Sequence, residues 1–342
     1  MMKKSLNLIV FLAVFFAASA FAASPGFREI CRDYVAKIGA GSVINGVDGW
    51  LFLKDDLQHL AAGKFWGDAA ASASEAKDKS AADPLPAIEA YNKQLSLRGI
   101  TLYLMPVPPK ALIYPDKLAA NIDGSAATEE LELYREFYGK LAARGVKVID
   151  LLPKLLENRD KAVLYCRTDT HYSGVGLALF AQAAAEAIKK EAWYATAEKK
   201  NFTKSKLMVT IHGDLNQMAG ATGPEEELQL SVVTGKDDGK QVESDMKSPV
   251  ILLGDSHTLV FQAGEDLYAK GAGLFDHLSA ELGFAVDLLG VRGSGVTPAR
   301  IKLFQRAKQD AGYLNGKKAL IWCFAAREFT GTGGWKKIPV AP

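Results

Sequence analysis

Ser256 stands in Gly254-Asp255-Ser256-His257, directly after the apolar run 250–253, and Asp169 stands two residues before His171 in Thr168-Asp169-Thr170-His171. A serine hydroxyl is a poor nucleophile until a base takes its proton, and a neutral imidazole with a pKa near ~6.5 suits that task. A carboxylate two residues away can hold the ring in the useful tautomer. These residue types supply an acyl-transfer centre, with Ser256 as nucleophile, His171 as base and Asp169 as its orienter. The N–H of Ser256 and the N-terminus of the helix expected after it are candidate oxyanion donors. Plainer readings stand beside these: Ser256 as an ordinary helix N-cap, Asp169 as a solvated carboxylate and His171 as a ring bonded to backbone.

The remaining histidines are poorer bases. His257 adjoins Ser256 in the chain and is expected to project away from it, while His212, in Ile211-His212-Gly213-Asp214, is a candidate for supporting the site or meeting substrate. His59 and His277 lie in helix-like segments and read as surface or packing residues. Val291-Arg292-Gly293-Ser294-Gly295 follows an apolar run, so Gly293 allows close approach of backbone to an oxyanion, and Arg292 can bind an anion or a sugar hydroxyl. An ordinary loop is the plainer reading there, as a structural ion pair is for Arg327-Glu328. A metal site would draw on Asp169, His171, His212 and Asp255, but their spacing does not favour one, and no cofactor is implied.

The elements that must hold these residues read as alternating helix and strand. Helix-like segments at 88–98, 129–143, 176–190 and 301–309 alternate with short unbroken apolar runs at 100–105, 146–149, 250–253, 285–289 and 319–324. Such runs suit strands buried on both faces, so the expectation is a doubly wound, mostly parallel α/β sheet. In such sheets ligands bind beyond the carboxyl ends of the strands, which is where the serine, the Asp-x-His pair and the Arg292 loop fall. The expected organisation is a signal peptide over 1–22, an N-terminal extension over 23–83 packed on the catalytic domain, the catalytic domain over 84–330 and a tail over 331–342. The stretch 69–83 reads equally as surface helix or loop.

Lys3 and Lys4 precede the apolar run 6–21, which ends in Ala20-Phe21-Ala22, and this predicts export with cleavage after Ala22. An uncleaved anchor is the alternative, since the run approaches the ~18–20 apolar residues that cross a bilayer. Either way the rest of the chain is expected to work in the periplasm or outside. With 41 basic and 39 acidic residues and no basic stripe, the chain is not expected to bind nucleic acid. An oxidising compartment would allow a disulfide among Cys31, Cys166 and Cys323; the apolar setting of Cys323 suits a buried thiol, so Cys31 with Cys166 is the preferred pair.

Taken together, Asp48-Gly49-Trp50-Leu51-Phe52, Val107-Pro108-Pro109-Lys110, Tyr114-Pro115-Asp116-Lys117, Arg167-Thr168-Asp169-Thr170-His171-Tyr172, Gly213-Asp214-Leu215 and Gly254-Asp255-Ser256-His257 resemble the SGNH hydrolase-like domain of the AlgJ/AlgX alginate O-acetyltransferase family. The Asp-x-His pair precedes the serine, the reverse of the usual SGNH order, and that permuted order belongs to the resemblance. The chain resembles the single-domain AlgJ-like form, because it ends shortly after its last expected strand. The resemblance implies a periplasmic enzyme that carries acetyl on Ser256 and passes it to a polysaccharide. Its donor would come through a membrane-bound O-acyltransferase partner within an exopolysaccharide export complex. It also implies oxyanion donors from the Ser256 N–H and the Gly-containing loop at Gly293; Arg292, Tyr172, His257 and Arg327 are further residues expected on the oxyanion and substrate side. A carbohydrate acetylesterase using the same three residues is an alternative, and a silent polysaccharide-binding scaffold is another.

Overall fold

The computed structural model describes residues 26–220, 223–293 and 295–342; the expected signal peptide and its cut lie outside the described residues. Among the described residues no helix is long and apolar enough to cross a membrane. The strands are β1 (Val43–Asn45), β2 (Leu51–Leu53), β3 (Thr101–Val107), β4 (Lys147–Val148), β5 (Phe202–Ile211), β6 (Glu226–Gly235), β7 (Val250–Gly254), β8 (Asp287–Gly290) and β9 (Ala319–Ala325). Five of them form one sheet in the order β4-β3-β9-β7-β8, with every neighbouring pair parallel. Each apolar run predicted as a strand lies in this sheet, although β4 is shorter than its run. The helices Pro84–Ser96, Thr128–Ala142, Gly174–Lys189 and Val296–Gln309 occupy the predicted helical segments.

Counted from β7 onward as though the chain were closed on itself, the strand order becomes 2-1-3-4-5, the order of a flavodoxin-like doubly wound sheet. The chain is opened ahead of β3, so the first strand of that count, β7, arrives late in the sequence. The topological switch point falls between β7 and β9, whose side chains are buried along their whole lengths. Leu320, Ile321, Trp322 and Cys323 are fully buried at the centre of the sheet.

Two features were not foreseen. One is the long antiparallel ribbon of β5 and β6, paired from Phe202↔Gly235 to Ile211↔Glu226. It sits on the start of the helix Gly174–Lys189, where Gly174 is required because a Cβ there would lie 2.4 Å from the Gln229 carbonyl oxygen. The other is β1, which pairs with β2, the short apolar strand expected after the turn at Gly49, in a hairpin whose Trp50 and Phe52 enter the same core as the sheet. The segment 69–83 resolves into short turns, Gly67–Ala69, Ala70–Ala73 and Lys79–Ala81.

The preferred Cys31–Cys166 disulfide is corrected: Cys31, Cys166 and Cys323 are all buried thiols with no disulfide. Cys31 packs from the helix Phe27–Ile38, whereas Cys166 turns its Sγ to the Tyr172 carbonyl at 3.4 Å. Burial pushes each thiol upward, which keeps it protonated and suits packing.

The far end of β8 is pinned by charge. Asp287 is fully buried and meets Lys317 Nζ at 2.7 Å, Arg306 Nη1 at 3.1 Å and the Tyr313 hydroxyl. Removing one partner of a buried pair strands the other charge, so Asp287→Ala should cost about 3–5 kcal/mol. Equilibrium urea unfolding monitored by circular dichroism checks this; a loss within error of zero would mean that Lys317 finds other compensation.

Candidate active site

The Asp-x-His segment lies at the tip of a narrow loop. Tyr165 and Tyr172 form an isolated antiparallel bridge, and the Cys166 N–H donates to the His171 carbonyl at 3.0 Å. From inside, the buried Lys110 ammonium donates to the carbonyls of Cys166 (2.9 Å), Arg167 (3.2 Å) and Asp169 (2.9 Å). It also lies 5.8 Å and 5.4 Å from the ring centroids of Trp50 and Phe52, whose π faces attract a cation. From outside, the Leu51 N–H donates to the Arg167 carbonyl at 2.8 Å, and the Glu226 carboxylate, at the end of β6, accepts from the N–H groups of Arg167 and Thr168. Gly213 closes the cradle: its φ is +75°, and a Cβ would lie 2.0 Å from the Thr168 carbonyl oxygen.

Held this way, Asp169 turns inward. Its Oδ1 accepts from the His171 backbone N–H at 2.9 Å and meets His171 Nδ1 at 2.7 Å. Its Oδ2 accepts from the Asp214 N–H at 2.8 Å and from the Tyr268 hydroxyl. The far ring nitrogen, His171 Nε2, lies 2.9 Å from Ser256 Oγ. Since a carboxylate only accepts, the network assigns the proton to Nδ1 and leaves Nε2 to accept from the serine. Burial opposes charge on Asp169, but His171 beside it and the donors from His171, Tyr268 and Asp214 outweigh that and hold the carboxyl below the usual range. Burial likewise opposes charge on His171, and the Asp169 charge and hydrogen bond overcome it and raise the imidazole.

Asp214 completes the cradle by accepting from Thr170 N–H at 2.7 Å and from Thr170 Oγ1 at 2.5 Å. Burial, with the Asp169 charge adding to it, raises this carboxyl. Asp169, His171 and Asp214 bring ligand-type atoms within 4.8 Å of one another. These atoms already serve each other and Thr170, and neither His212 nor Asp255 joins the group.

On the other side of the site, Ser256 begins a single 3-10 turn, Ser256–Thr258, and the next α-helix starts only at Leu274. The helix expected to open at the serine therefore begins eighteen residues later, which corrects the placement of Ser256 at its N-terminus and with it the helix-terminus contribution to an oxyanion site. The N–H of Ser256 has no acceptor among the described residues. Asp255 repeats the Asp169 pattern: Oδ1 takes the His257 N–H at 3.0 Å and Nδ1 at 2.9 Å, while Oδ2 accepts from the Ala325 N–H at 2.8 Å. Burial resists ionisation of Asp255, yet His257 and these donors lower it to about 2. The His257 ring is buried with its centroid 4.7 Å from that of His171.

The residues expected on the substrate side are dispersed. Tyr172 is fully buried with its hydroxyl on the His257 carbonyl, so it supports the serine turn from beneath. Arg327 is buried and pairs with Asp56 at 3.2 Å. Arg292 is exposed and pairs with Asp266 at 2.6 Å, in the segment that also carries Tyr268. Gly293 has φ +84° in the loop that Val291 ties to the Gly254 carbonyl at 2.9 Å. His212 is exposed, whereas His59 and His277 are buried and hydrogen-bonded. Sequence reasoning gave no role to Lys110, Asp214 or Tyr268. The first two close conspicuous motifs, but nothing local marks Tyr268.

A parallel doubly wound sheet in permuted order, with a serine turn facing an Asp-x-His loop across its switch point, has the architecture of SGNH hydrolase-like proteins. Residues 43–326 match the family described as SGNH hydrolase-like domain, acetyltransferase AlgX, and the chain belongs to that family. Two relatives are probable alginate O-acetylases AlgJ. That of Pseudomonas aeruginosa is 29% identical over 144 residues, covering 42% of this chain and 32% of that protein. That of Pseudomonas syringae pv. tomato is 27% identical over 177 residues, covering 52% and 41%. The chain thus matches well under half the length of either. The solved O-acetyltransferase domain of Pseudomonas putida AlgJ shares the fold, with a TM-score of 0.62 and 21% identity over 84% of this chain and 92% of that one.

Lys110→Met keeps most of the stem but leaves the Cys166 and Asp169 carbonyls without the ammonium. An unsatisfied buried group costs about 1–3 kcal/mol, so thermal unfolding should shift down by that order. The downfield proton resonance of the His171–Asp169 bond should weaken with it. An unchanged resonance would show that the loop is held without the ammonium.

Proposed function

We propose that the protein is an exported O-acetyltransferase that acetylates an exopolysaccharide, alginate or a similar polymer, through an acetyl-Ser256 intermediate. The observation that carries this reading is the continuous chain from Asp169 to His171 at 2.7 Å and from His171 to Ser256 at 2.9 Å. Ser256 Oγ attacks the carbonyl carbon of an acetyl donor while its proton passes to His171 Nε2. The tetrahedral intermediate collapses, the leaving group takes that proton, and acetyl-serine remains. A sugar hydroxyl then attacks the ester, gives its proton to His171 and leaves as the acetylated sugar, and the proton returns to Ser256. Asp169 keeps the ring oriented and balances the imidazolium. The Ser256 N–H and the Gly293 loop are the proposed oxyanion donors. No dissociable cofactor is needed. The donor is proposed to arrive from a membrane-bound O-acyltransferase partner in a periplasmic export complex.

Mass spectrometry after mixing the protein with an activated acetyl ester and alginate oligosaccharides tests the reading. Acetylated Ser256 and acetylated sugar are expected; free acetate with no acetylated sugar would make the protein an esterase. By analogy with other serine acyl-transfer centres, Ser256→Ala and His171→Ala should each lose about a million-fold in turnover and Asp169→Asn about ten-thousand-fold. Full turnover in folded Ser256→Ala would reject the nucleophile.

The acid side of the pH profile follows from His171. The base works only when neutral, and its pKa is raised, so kcat/KM for the ester should rise through a limb above the ordinary imidazole value of ~6.5. Asp169→Asn removes the charge that raises it, and the limb should move to lower pH as the plateau falls. A limb that stays in place would mean that another group titrates there.

A further inference from the structure

The segment that follows the serine turn is a tight loop closed by its own backbone. The Phe261 N–H donates to the Leu267 carbonyl at 3.0 Å, the Gly264 N–H to the Ala269 carbonyl at 2.9 Å and the Ala272 N–H to the Phe261 carbonyl at 2.9 Å. Phe261 and Leu267 anchor it in the interior. Between them and Ala269, Tyr268 has φ +73° and ψ −46°, and the Ala269 N–H donates to the Leu267 carbonyl at 2.9 Å. This is a γ-turn of the strained hand. A bulky residue stays in such a conformation only where its surroundings over-determine it. Glycine would adopt that backbone at little cost, so what tyrosine supplies there is its side chain. The ring is half-buried, and its hydroxyl donates to Asp169 Oδ2, 99 residues away in the chain.

We propose that Tyr268 is a positioning residue of the acyl-transfer centre: its hydroxyl ties Asp169 to the serine's own segment and takes up part of the carboxylate's charge, which sets both the seat and the strength of the His171 base. The inference rests on the Ser256 reading and adds to it a residue that acts through Asp169. Asp169 Oδ1 is occupied by the backbone N–H and Nδ1 of His171, and Oδ2 by the Asp214 N–H at 2.8 Å and by Tyr268. Once Ser256 is acylated, its ester oxygen has no proton to give His171 Nε2. The Tyr268 bond survives that step and keeps the carboxylate, and through it the ring, facing the ester. Burial, with the Asp169 charge adding to it, pushes the Tyr268 hydroxyl up, so it stays protonated and donates. A donor on a carboxylate stabilises its charge and weakens its pull on a neighbouring imidazolium. Removing the hydroxyl therefore leaves Asp169 to pair more strongly with His171, the reverse of removing the carboxylate. The other groups facing this pair are untouched by that change: Asp214 and Asp255 toward His171, His257 against its ring, and Lys110 and Cys166 toward Asp169.

Tyr268→Phe keeps the ring and removes the hydroxyl. Its effect is read twice, by NMR titration of the His171 ring in the resting protein and by the pH profile of kcat/KM for a chromogenic acetyl ester. The ring pKa and the acid limb should both move to higher pH by about half a unit to one unit. The plateau should fall about tenfold as the carboxylate loses a charge-assisted bond. A fluorinated tyrosine in place of Tyr268, a stronger donor, should move the ring pKa and the limb to lower pH, a reversal that altered packing would not produce. Thermal melts establish that both proteins fold. A ring pKa that stays in place or falls in folded Tyr268→Phe, or a plateau that does not change, would overturn the proposal. Failure of the Ser256 reading looks different: the ring pKa follows Tyr268 while the acid limb of ester turnover stays where it is, which keeps the tie to Asp169 and rejects His171 as the base.

Discussion

The Lys110 ammonium is removed from water and set among the carbonyl oxygens of Cys166, Arg167 and Asp169, at 2.9, 3.2 and 2.9 Å. Burial lowers its pKa by penalising the charge, while Cys166 and the carboxylates of Asp169, Asp214 and Asp56 act in the other direction. The charge is tolerable only if the carbonyls converge on it, and convergence curls the loop tip into one shape. A short polar loop has little conformational preference of its own and would otherwise lose much freedom on ordering. With the ammonium inside, Leu51 and Glu226 outside and Gly213 pressed against Thr168, the curl has no slack. Asp169 then faces His171, and His171 faces the serine turn. The Trp50 and Phe52 rings around the ammonium explain why an N-terminal hairpin belongs to the machinery of a sheet that begins some fifty residues later.

A parallel sheet makes the order of its loops in the chain almost irrelevant. All the carboxyl ends face one side, so any two loops flanking the switch point can meet there. His171 and Ser256 are 85 residues apart and meet because the loop after β4 and the turn after β7 both emerge on that side. Opening the chain ahead of β3 changes which motif is read first and leaves the meeting intact. The segment between β4 and β7 then has to cross the sheet, and the β5–β6 ribbon in that crossing delivers Glu226 to the back of the Asp-x-His loop.

The strands of the main sheet were legible because buried parallel strands are short, apolar and unbroken, and the runs ending at Gly254 and Ala325 carry that signature plainly. Asp169, His171 and Ser256 were legible because each follows such a run or a polar loop at a strand end. The ribbon was missed because its outward faces are polar and its inward positions, such as Leu228 and Leu230, are few. The helix expected to start at Ser256 begins only at Leu274, because local pattern does not reveal where a turn ends; Phe261, Glu265 and Tyr268 all adopt positive φ in the segment that precedes it. That same segment carries Tyr268 to Asp169, a contact spanning 99 residues that no spacing rule anticipates. The disulfide expectation rested on compartment and count, and the separate burial of three thiols overrides both.

The site contains two Asp-x-His units with the same local bonds, and their environments separate them. In each, one carboxylate oxygen takes both the backbone N–H and Nδ1 of the histidine two residues on. His171 has Nε2 on Ser256, whereas His257 is sealed against Tyr172 and His171. Burial lowers His257, and the neighbouring His171 and Arg327 add to that against the pull of Asp255. His171 moves the other way, helped by Asp214 and Asp255 in addition to Asp169. Two imidazolium rings 4.7 Å apart would repel in a setting this dry. A positive charge arriving in the pair therefore settles on His171. In the proposed reaction that is the ring that must carry it, and a neutral His257 packed against its face keeps the ring in place without competing for the proton.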